Sequence, residues 1–244
     1  MDSIRPASHS MPTTAKELGW SSVLLACILL ITDYWFSPPN AFLVATGLLF
    51  LVQGGCILAR WPATQPFGWA NRTTLLRSVL VFPLVAWAPF LSSSGPAGLW
   101  FYAVACLLAL ILDGADGKVA RATNSHSNFG ARFDMELDAL FILGLCIAVF
   151  VLDKAGAWVL LLGLMRYLFM ASSQYLGWLN QPLPESFRRK TVCVWQVVTL
   201  LVAVIPPIPP GFASFTLAIA LVLLVWSFYL DVRWLFERRL HHEN

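Results

Sequence analysis

Charged residues are scarce in this sequence of 244 residues: only 12% are Asp, Glu, Lys or Arg, whereas 58% are hydrophobic. The mean hydropathy is +0.71. A soluble domain of this composition would expose large apolar areas to water, so an ordinary soluble fold is excluded. The formal net charge of +3 is also small, and it gives no indication of a nucleic-acid partner.

Closely spaced cysteines are lacking as well. The five that are present stand singly within or beside apolar runs: Cys27, Cys56, Cys106, Cys146 and Cys193. A structural zinc site or a disulfide framework needs tighter or paired spacing. We therefore interpret the cysteines as packing residues.

Long apolar runs are what the sequence has in abundance. They are continuous and about as long as a helix needs to cross roughly 30 Å of hydrocarbon, whereas the strands of a membrane β-barrel would alternate. The sequence thus predicts an all-α polytopic membrane protein. Eight spans are expected, at residues 18–36, 41–59, 75–91, 99–112, 137–152, 157–176, 191–205 and 212–230.

The spans divide the chain into a group of two and a group of six. We predict a polar cytoplasmic tail (1–17), an N-terminal transmembrane hairpin (18–59), an interfacial segment (60–70), a six-helix core (71–231) and a second cytoplasmic tail (232–244). Alternate threading leaves only Lys154 opposite the side that carries the other loop arginines and lysines. Because positive loops stay in the cytoplasm, that side is predicted to be cytoplasmic.

Four carboxylates interrupt the apolar pattern at the cytoplasmic rim: Asp113, Asp116, Asp134 and Asp138. If residues 107–121 form one helix, the first two aspartates share a face, and the last two, four residues apart, share a face of the next helix. No His or Cys stands within either pair, 113–116 or 134–138. The set therefore predicts an all-oxygen site for Mg²⁺ or Mn²⁺, with room for two ions.

Three further residues of the same stretch indicate a phosphorylated ligand. Gly117 and Ala120 leave open space above the helix, so a flat or bulky ligand can approach the backbone. Arg121 lies at the edge of this face, and a guanidinium can bind phosphate oxygens in a bidentate manner. Together with metal ions, these residues favour a diphosphate.

The pattern Asp113-x-x-Asp116-Gly117-x-x-Ala120-Arg121, eight residues, then Gly130-x-x-x-Asp134-x-x-x-Asp138 resembles the signature of the CDP-alcohol phosphatidyltransferases at every specified position. The segment Asn71-x-x-Thr74-x-x-Arg77 is similar to the opening of that family's first core helix. The resemblance covers residues from about 70 to 231. The first two helices fall outside it.

The resemblance implies a homodimeric six-helix core that binds CDP-diacylglycerol at the cytoplasmic surface. It implies metal ligands at Asp113, Asp116 and Asp134, with Asp138 near the metals as the general base. The nucleotide site would include Asn71, Thr74, Asp113, Gly117, Ala120 and Arg121. The expected reaction moves a phosphatidyl group to the hydroxyl of a small alcohol and releases CMP. The expected location is a bacterial inner membrane.

The acceptor alcohol is not identified by the signature. Arg166, within an apolar run, and the cluster Arg188, Arg189 and Lys190 are candidate sites for a phosphorylated acceptor such as glycerol 3-phosphate or inositol phosphate. An unphosphorylated acceptor stays open. Glu136, on a different face from Asp134 and Asp138, is expected to be solvated or paired with a base such as Arg132.

Two other classes of membrane protein also use clustered acids. A metal-dependent prenyltransferase would place its two aspartate-rich motifs far apart, whereas here all four aspartates fall within 26 residues. A divalent-cation transporter would need acids near mid-membrane and access from both sides. Both alternatives fit the sequence less well than the transferase.

Overall fold

The chain folds into helices throughout the part that a computed structural model describes, which comprises residues 13–61, 68–123, 128–181, 183–184 and 186–243. Within these ranges the side chains of residues 13, 69–70, 115–123, 128, 180 and 240–243 are not described. The helices are α1 (Thr13–Phe36), α2 (Asn40–Arg60), α3 (Trp69–Trp87), α4 (Pro96–Thr123), α5 (Asn128–Val151), α6 (Leu160–Tyr175), α7 (Phe187–Val204) and α8 (Pro210–Glu243). No strand occurs in the described ranges.

Proline and turn residues set the helix limits. Pro96 and Pro210 are the first residues of α4 and α8, where the missing N–H costs no helical hydrogen bond. Pro83 lies inside α3, and the helix gives way to a 3₁₀ segment at Ala88–Ser93 that contains Pro89. The chain therefore changes helix type at the end of α3.

Each of the eight predicted spans lies on a helix, so the prediction of an all-α membrane protein is confirmed. Within the described residues, five helical stretches are long and apolar enough to cross a membrane: Thr14–Phe36, Asn40–Arg60, Asn71–Ser93, Pro96–Gly114 and Pro210–Arg239. The other three helices are too short or carry too many charged residues to be included. Helix α5 begins with the acids of the motif, α6 has 16 residues, and α7 begins with a basic cluster.

The hydrophobic core is formed by residues of α3 to α8 together with Phe42 of α2, and α5 is its central helix, in contact with α3, α6 and α7. Two glycines allow close approaches of α5 to its neighbours. A Cβ on Gly144 would lie 2.9 Å from Val85 Cγ2 on α3, and a Cβ on Gly163 of α6 would lie 2.8 Å from Leu143 Cα. The sequence therefore lets α5 approach α3 and α6 closely.

The N-terminal hairpin packs directly on the core. Buried Gln53 of α2 and Ser78 of α3 exchange hydrogen bonds of 2.8 and 3.0 Å. Arg72 of α3 pairs with Glu17 of α1 at 2.7 Å, and the rings of Phe36 and Phe42 contact Trp87. These polar and aromatic contacts fix the hairpin against α3, a position that the sequence did not predict.

Candidate active site

Three carboxylates from two helices meet at one end of the core. Asp113 lies near the middle of α4, and Asp134 and Asp138 lie one turn apart on α5. One oxygen of each carboxylate can be chosen so that all three lie within 4.8 Å of one another. The predicted convergence of the two aspartate pairs is therefore seen for these three residues, which we call the Asp triad.

An arginine from a third helix lies in the middle of the Asp triad. Arg77 of α3 is only 2% exposed, and its Nη2 lies 2.8 Å from Asp134 Oδ1 and 2.6 Å from Asp138 Oδ1. Its Nη1 donates to Asp113 Oδ1. Sequence analysis noted Arg77 only as part of the Asn71-x-x-Thr74-x-x-Arg77 segment and did not place it in the site. The available signal was a cation inside an apolar run (75–91), which is costly without acidic partners.

The charges of these four side chains do not balance. Three carboxylates face one guanidinium, so the group carries excess negative charge when all the acids are ionised. Burial raises the pKa of Asp134, which precedes the predicted span of α5, and the charge of Arg77 opposes that rise. A further cation would stabilise the ionised carboxylates.

The donor set of the triad fits a hard divalent cation. All its ligand atoms are carboxylate oxygens, and neither His nor Cys belongs to the group that could hold a metal. Oxygen donors of this kind suit Mg²⁺ and Mn²⁺ rather than zinc. Asp113, Asp134 and Asp138 lie close enough together to hold such an ion or to adjoin it.

Four predicted site residues lie where side chains are not described: Asp116, Gly117, Ala120 and Arg121. The helix that carries them is described, because α4 extends from Pro96 to Thr123. The assumption behind their shared face, one helix through residues 107–121, is therefore confirmed. Their roles in metal and nucleotide binding stay predictions.

The two remaining nucleotide-site candidates are buried on the helix that carries Arg77. Asn71 and Thr74 precede Arg77 by six and three residues on α3, and both are almost inaccessible to solvent. Spacings of three residues place neighbouring side chains along one side of a helix. Asn71 and Thr74 therefore lie on the same helix as Arg77, and their role in nucleotide binding stays a prediction.

A large cavity begins at the Asp triad and extends between α5, α6, α7 and α8. Its volume is about 620 Å³, and its wall includes Asp138, Arg166 and Arg189. A second cavity of about 120 Å³ is lined by Arg77, Asp113, Asp138 and Cys193. Asp138 and Cys193 belong to both walls. The Asp138 carboxylate therefore lies at the boundary between the triad and the large cavity.

Three of the four basic residues that were predicted to bind the acceptor have acidic partners. Arg166 Nη2 donates to Glu136 Oε1 at 2.7 Å, so Glu136 pairs with Arg166 and not with Arg132. Arg188 Nη2 donates to Asp231 Oδ1 at 2.5 Å.

Asp231, on α8, is a residue that sequence reasoning missed. It also lies 3.6 Å from Arg189 Nη1, while Arg188 Nη1 donates to the Ser227 carbonyl at 3.0 Å. Lys190 is exposed and is not part of the cavity wall. No local pattern in the sequence links Asp231 to a cluster some 40 residues earlier.

Comparison with known proteins agrees with this geometry. Residues 67–226 match the CDP-alcohol phosphatidyltransferase family. Cholinephosphotransferase 1 of Gallus gallus is 38% identical over 82 residues, which are 31% of this chain and 24% of that relative. The similarity thus spans about a quarter of the relative's length. No solved structure gives a significant match.

Proposed function

Because the chain belongs to the CDP-alcohol phosphatidyltransferase family, we propose that it transfers a phosphatidyl group from CDP-diacylglycerol to a small alcohol and releases CMP. The observation that carries this proposal is the position of Asp138, which borders both the Asp triad and the large cavity. A base at that boundary can contact an acceptor hydroxyl in the cavity while the diphosphate lies at the triad.

The proposed step is a direct displacement. Asp138 takes the proton of the acceptor hydroxyl, the oxygen forms a bond to the lipid-side phosphorus, and the bond from that phosphorus to the bridging oxygen breaks. The electron pair leaves with CMP. Bound Mg²⁺ or Mn²⁺ would neutralise charge on the diphosphate and on the leaving group.

The other site residues are proposed to bind and orient the donor. Asp113 and Asp134, with Asp116 from the same turn of α4 as Asp113, would hold the metal. Asn71, Thr74, Gly117, Ala120 and Arg121 would surround the nucleotide. Arg77 would keep the three carboxylates together and supply positive charge beside the diphosphate.

The proposed location is an integral membrane with the site at the cytoplasmic face, on the strength of the asymmetric basic loops. A homodimer is proposed from the family alone. The match with a chicken protein shows that family membership does not distinguish a bacterial inner membrane from a eukaryotic one, so that assignment stays a prediction.

The ion pairs of the candidate acceptor-binding arginines indicate whether the acceptor alcohol carries a phosphate. Arg166, Arg188 and Arg189 would have to exchange Glu136 or Asp231 for a phosphate before they could bind a phosphorylated acceptor. An acceptor without phosphate requires no such exchange. We therefore place an unphosphorylated alcohol ahead of glycerol 3-phosphate and inositol phosphate as the acceptor.

A second candidate reaction has specific support. The relative from Gallus gallus carries the name cholinephosphotransferase. The wall of the large cavity is also mainly apolar, with Ile142, Leu162, Met165, Phe169 and Phe228 among its residues. Transfer from a CDP-linked small alcohol to the hydroxyl of a membrane lipid would place that lipid in the cavity and use the same acids.

The experiment is a CMP-release assay with purified protein and Mg²⁺ or Mn²⁺. One series combines CDP-diacylglycerol with small alcohols, with and without phosphate, and the other combines CDP-alcohols with diacylglycerol. Metal-dependent CMP release in the first series supports the proposed function, and release only in the second selects the alternative. If neither series releases CMP, both proposals are wrong.

A further inference from the structure

A third cavity lies between the N-terminal hairpin and the core, away from the Asp triad. Its volume is about 560 Å³, and it is lined by residues of α2, α3 and α5. The matched part of the chain starts at residue 67, so α2 lies outside it. The cavity therefore exists only because the hairpin packs on the family core.

Two arginines from different helices line this hairpin cavity. Arg60 is the last residue of α2, and Arg132 lies in the second turn of α5. Both are exposed, and within the described ranges neither one pairs with an acid. Glu136 also lines the cavity, but its carboxylate is bound by Arg166 at 2.7 Å. The cavity thus has two cations available for an anion.

The two arginines lie at the same end of the helix bundle. The Trp61 ring, directly after Arg60, contacts the Phe129 ring at the start of α5 with centroids 5.7 Å apart. The predicted topology puts this end at the headgroup level on the cytoplasmic side. Phosphate groups of membrane lipids lie at this depth.

The rest of the hairpin cavity is apolar and extends away from the arginines. On α2 the lining reaches back to Leu49, about 16 Å along the helix from Arg60, and on α5 it reaches Leu140, about 12 Å from Arg132. Val52 on this wall is 65% exposed, so the cavity opens at the side of the bundle. A charged end at headgroup level and an apolar wall toward the hydrocarbon match the shape and polarity of a phospholipid.

We propose that the hairpin cavity binds an anionic phospholipid, with its phosphate between Arg60 and Arg132 and an acyl chain along the wall formed by Leu49, Phe82, Phe133 and Leu140. Guanidinium groups bind phosphate oxygens through charge-assisted hydrogen bonds. An apolar wall alone would accept any lipid, so the two arginines make the site selective for negative charge. The site is independent of the transferase reaction.

The test is lipid binding to the detergent-solubilised protein, measured by native mass spectrometry and thermal shift. The probes are phosphatidylglycerol, phosphatidylcholine and inorganic phosphate. Wild-type protein is expected to retain one phosphatidylglycerol per chain and to bind phosphatidylcholine at least about tenfold more weakly, since the charge-assisted contacts favour net negative charge. Inorganic phosphate alone is expected to have no effect, because it cannot use the apolar wall.

The variants are Arg60→Gln with Arg132→Gln, and Lys16→Gln as the matched control. Lys16 is an exposed cation of α1 that does not line the cavity. All three residues are exposed, so the substitutions leave no buried group without a partner. The double variant is expected to lose the preference for phosphatidylglycerol, and the control to keep it.

Three outcomes would overturn the proposal. Equal retention of phosphatidylglycerol by the double variant and the wild type would show that the arginines do not bind it. Equal binding of phosphatidylcholine by the wild type would show an apolar lipid site without charge selection. An arginine-dependent shift with inorganic phosphate as large as that with the lipid would show a site for a soluble anion.

Discussion

The two halves of the proposed active site, on either side of Asp138, differ in how their charges are balanced. In the acidic half, one buried arginine faces the three carboxylates of the Asp triad. In the basic half, Arg166 pairs with Glu136, and Arg188 and Arg189 share Asp231. Three carboxylates against one arginine give the acidic half a formal charge of −2, whereas three arginines against two carboxylates leave the basic half at +1.

This difference indicates where each half needs a ligand. Excess negative charge at the triad is stabilised by a divalent cation, so the acidic half is incomplete without a metal. The basic half is held together by its own ion pairs and needs no anion for stability. Metal dependence should therefore be strong, and dependence on a phosphorylated acceptor should be weak.

Asp138→Asn is expected to have the largest effect, because Asp138 is the only triad residue that also borders the large cavity. Loss of a general base that is also close to the metal should lower kcat by about a thousandfold or more. CMP release by the purified variant measures this. Glu237→Gln, which removes an exposed acid on α8, is the control. Retention of more than about a tenth of the wild-type rate would contradict the assigned role.

Arg77→Gln tests the acidic half by removing its internal cation. The metal-free variant should be destabilised by about 3 kcal/mol, the lower end of the cost of breaking a buried ion pair, since the partner acids are partly exposed. Mn²⁺ should restore much of this loss, because the metal replaces the missing charge. Thermal unfolding with and without Mn²⁺ measures both effects.

Arg77→Lys is the matched control for that experiment, since it keeps the charge but loses the paired contacts of the guanidinium. It should be destabilised less than Arg77→Gln and should gain less from Mn²⁺. If Arg77→Gln unfolds at the wild-type temperature without metal, Arg77 does not hold the triad together.

Gly144→Ala tests whether the spacing of α3 and α5 determines the geometry of the acidic half. The added Cβ would lie 2.9 Å from Val85 Cγ2 and 3.2 Å from Val85 Cα. The expected cost is about 1–3 kcal/mol of stability, with weaker Mn²⁺ binding because Arg77 and the α5 acids move apart. Gly47→Ala, where no atom lies within 4 Å, should be neutral or slightly stabilising. If Gly144→Ala is destabilised but binds Mn²⁺ as tightly as the wild type, the spacing of α3 and α5 does not determine the geometry of the metal site.

Glu136→Gln should have the smallest effect, and it tests the basic half. Both partners of the Arg166 pair are partly exposed, so the pair is worth at most about 1 kcal/mol. Freed Arg166 should lower the KM for a phosphorylated acceptor by up to about fivefold and leave the KM for an unphosphorylated one unchanged. Steady-state kinetics with both acceptors measures this. An equal change in KM for both acceptors would show that Arg166 does not bind the acceptor's phosphate.

The helices could be predicted from the sequence because each apolar run gives a local signal of sufficient length. All eight spans lie on helices, although α4 continues to Thr123 and α8 to Glu243, well beyond their apolar runs. Polar residues beyond the membrane give no hydropathy signal. The packing of the hairpin on α3 was not predicted, because the pairing of Gln53 with Ser78 joins residues that no local pattern connects.

The site could be predicted only in part, because the sequence shows local spacing but not tertiary contacts. Regular spacing brought Asp113, Asp134 and Asp138 into one proposed group, and the structure brings those three together. The partners of the charged groups depend on tertiary contacts. Arg77 reaches Asp113 across 36 positions, and Arg166 reaches Glu136 across 30. Periodicity carries no information about such pairs.

If the Asp triad is a metal site, the protein should bind Mn²⁺ in the absence of any substrate. Electron paramagnetic resonance of free and bound Mn²⁺ can be followed as wild-type protein and an Asp113→Asn, Asp134→Asn double variant are titrated. Saturable binding is expected for the wild type and should be lost in the variant, with helix content unchanged. Equal Mn²⁺ binding by the two proteins would contradict a metal site at the Asp triad.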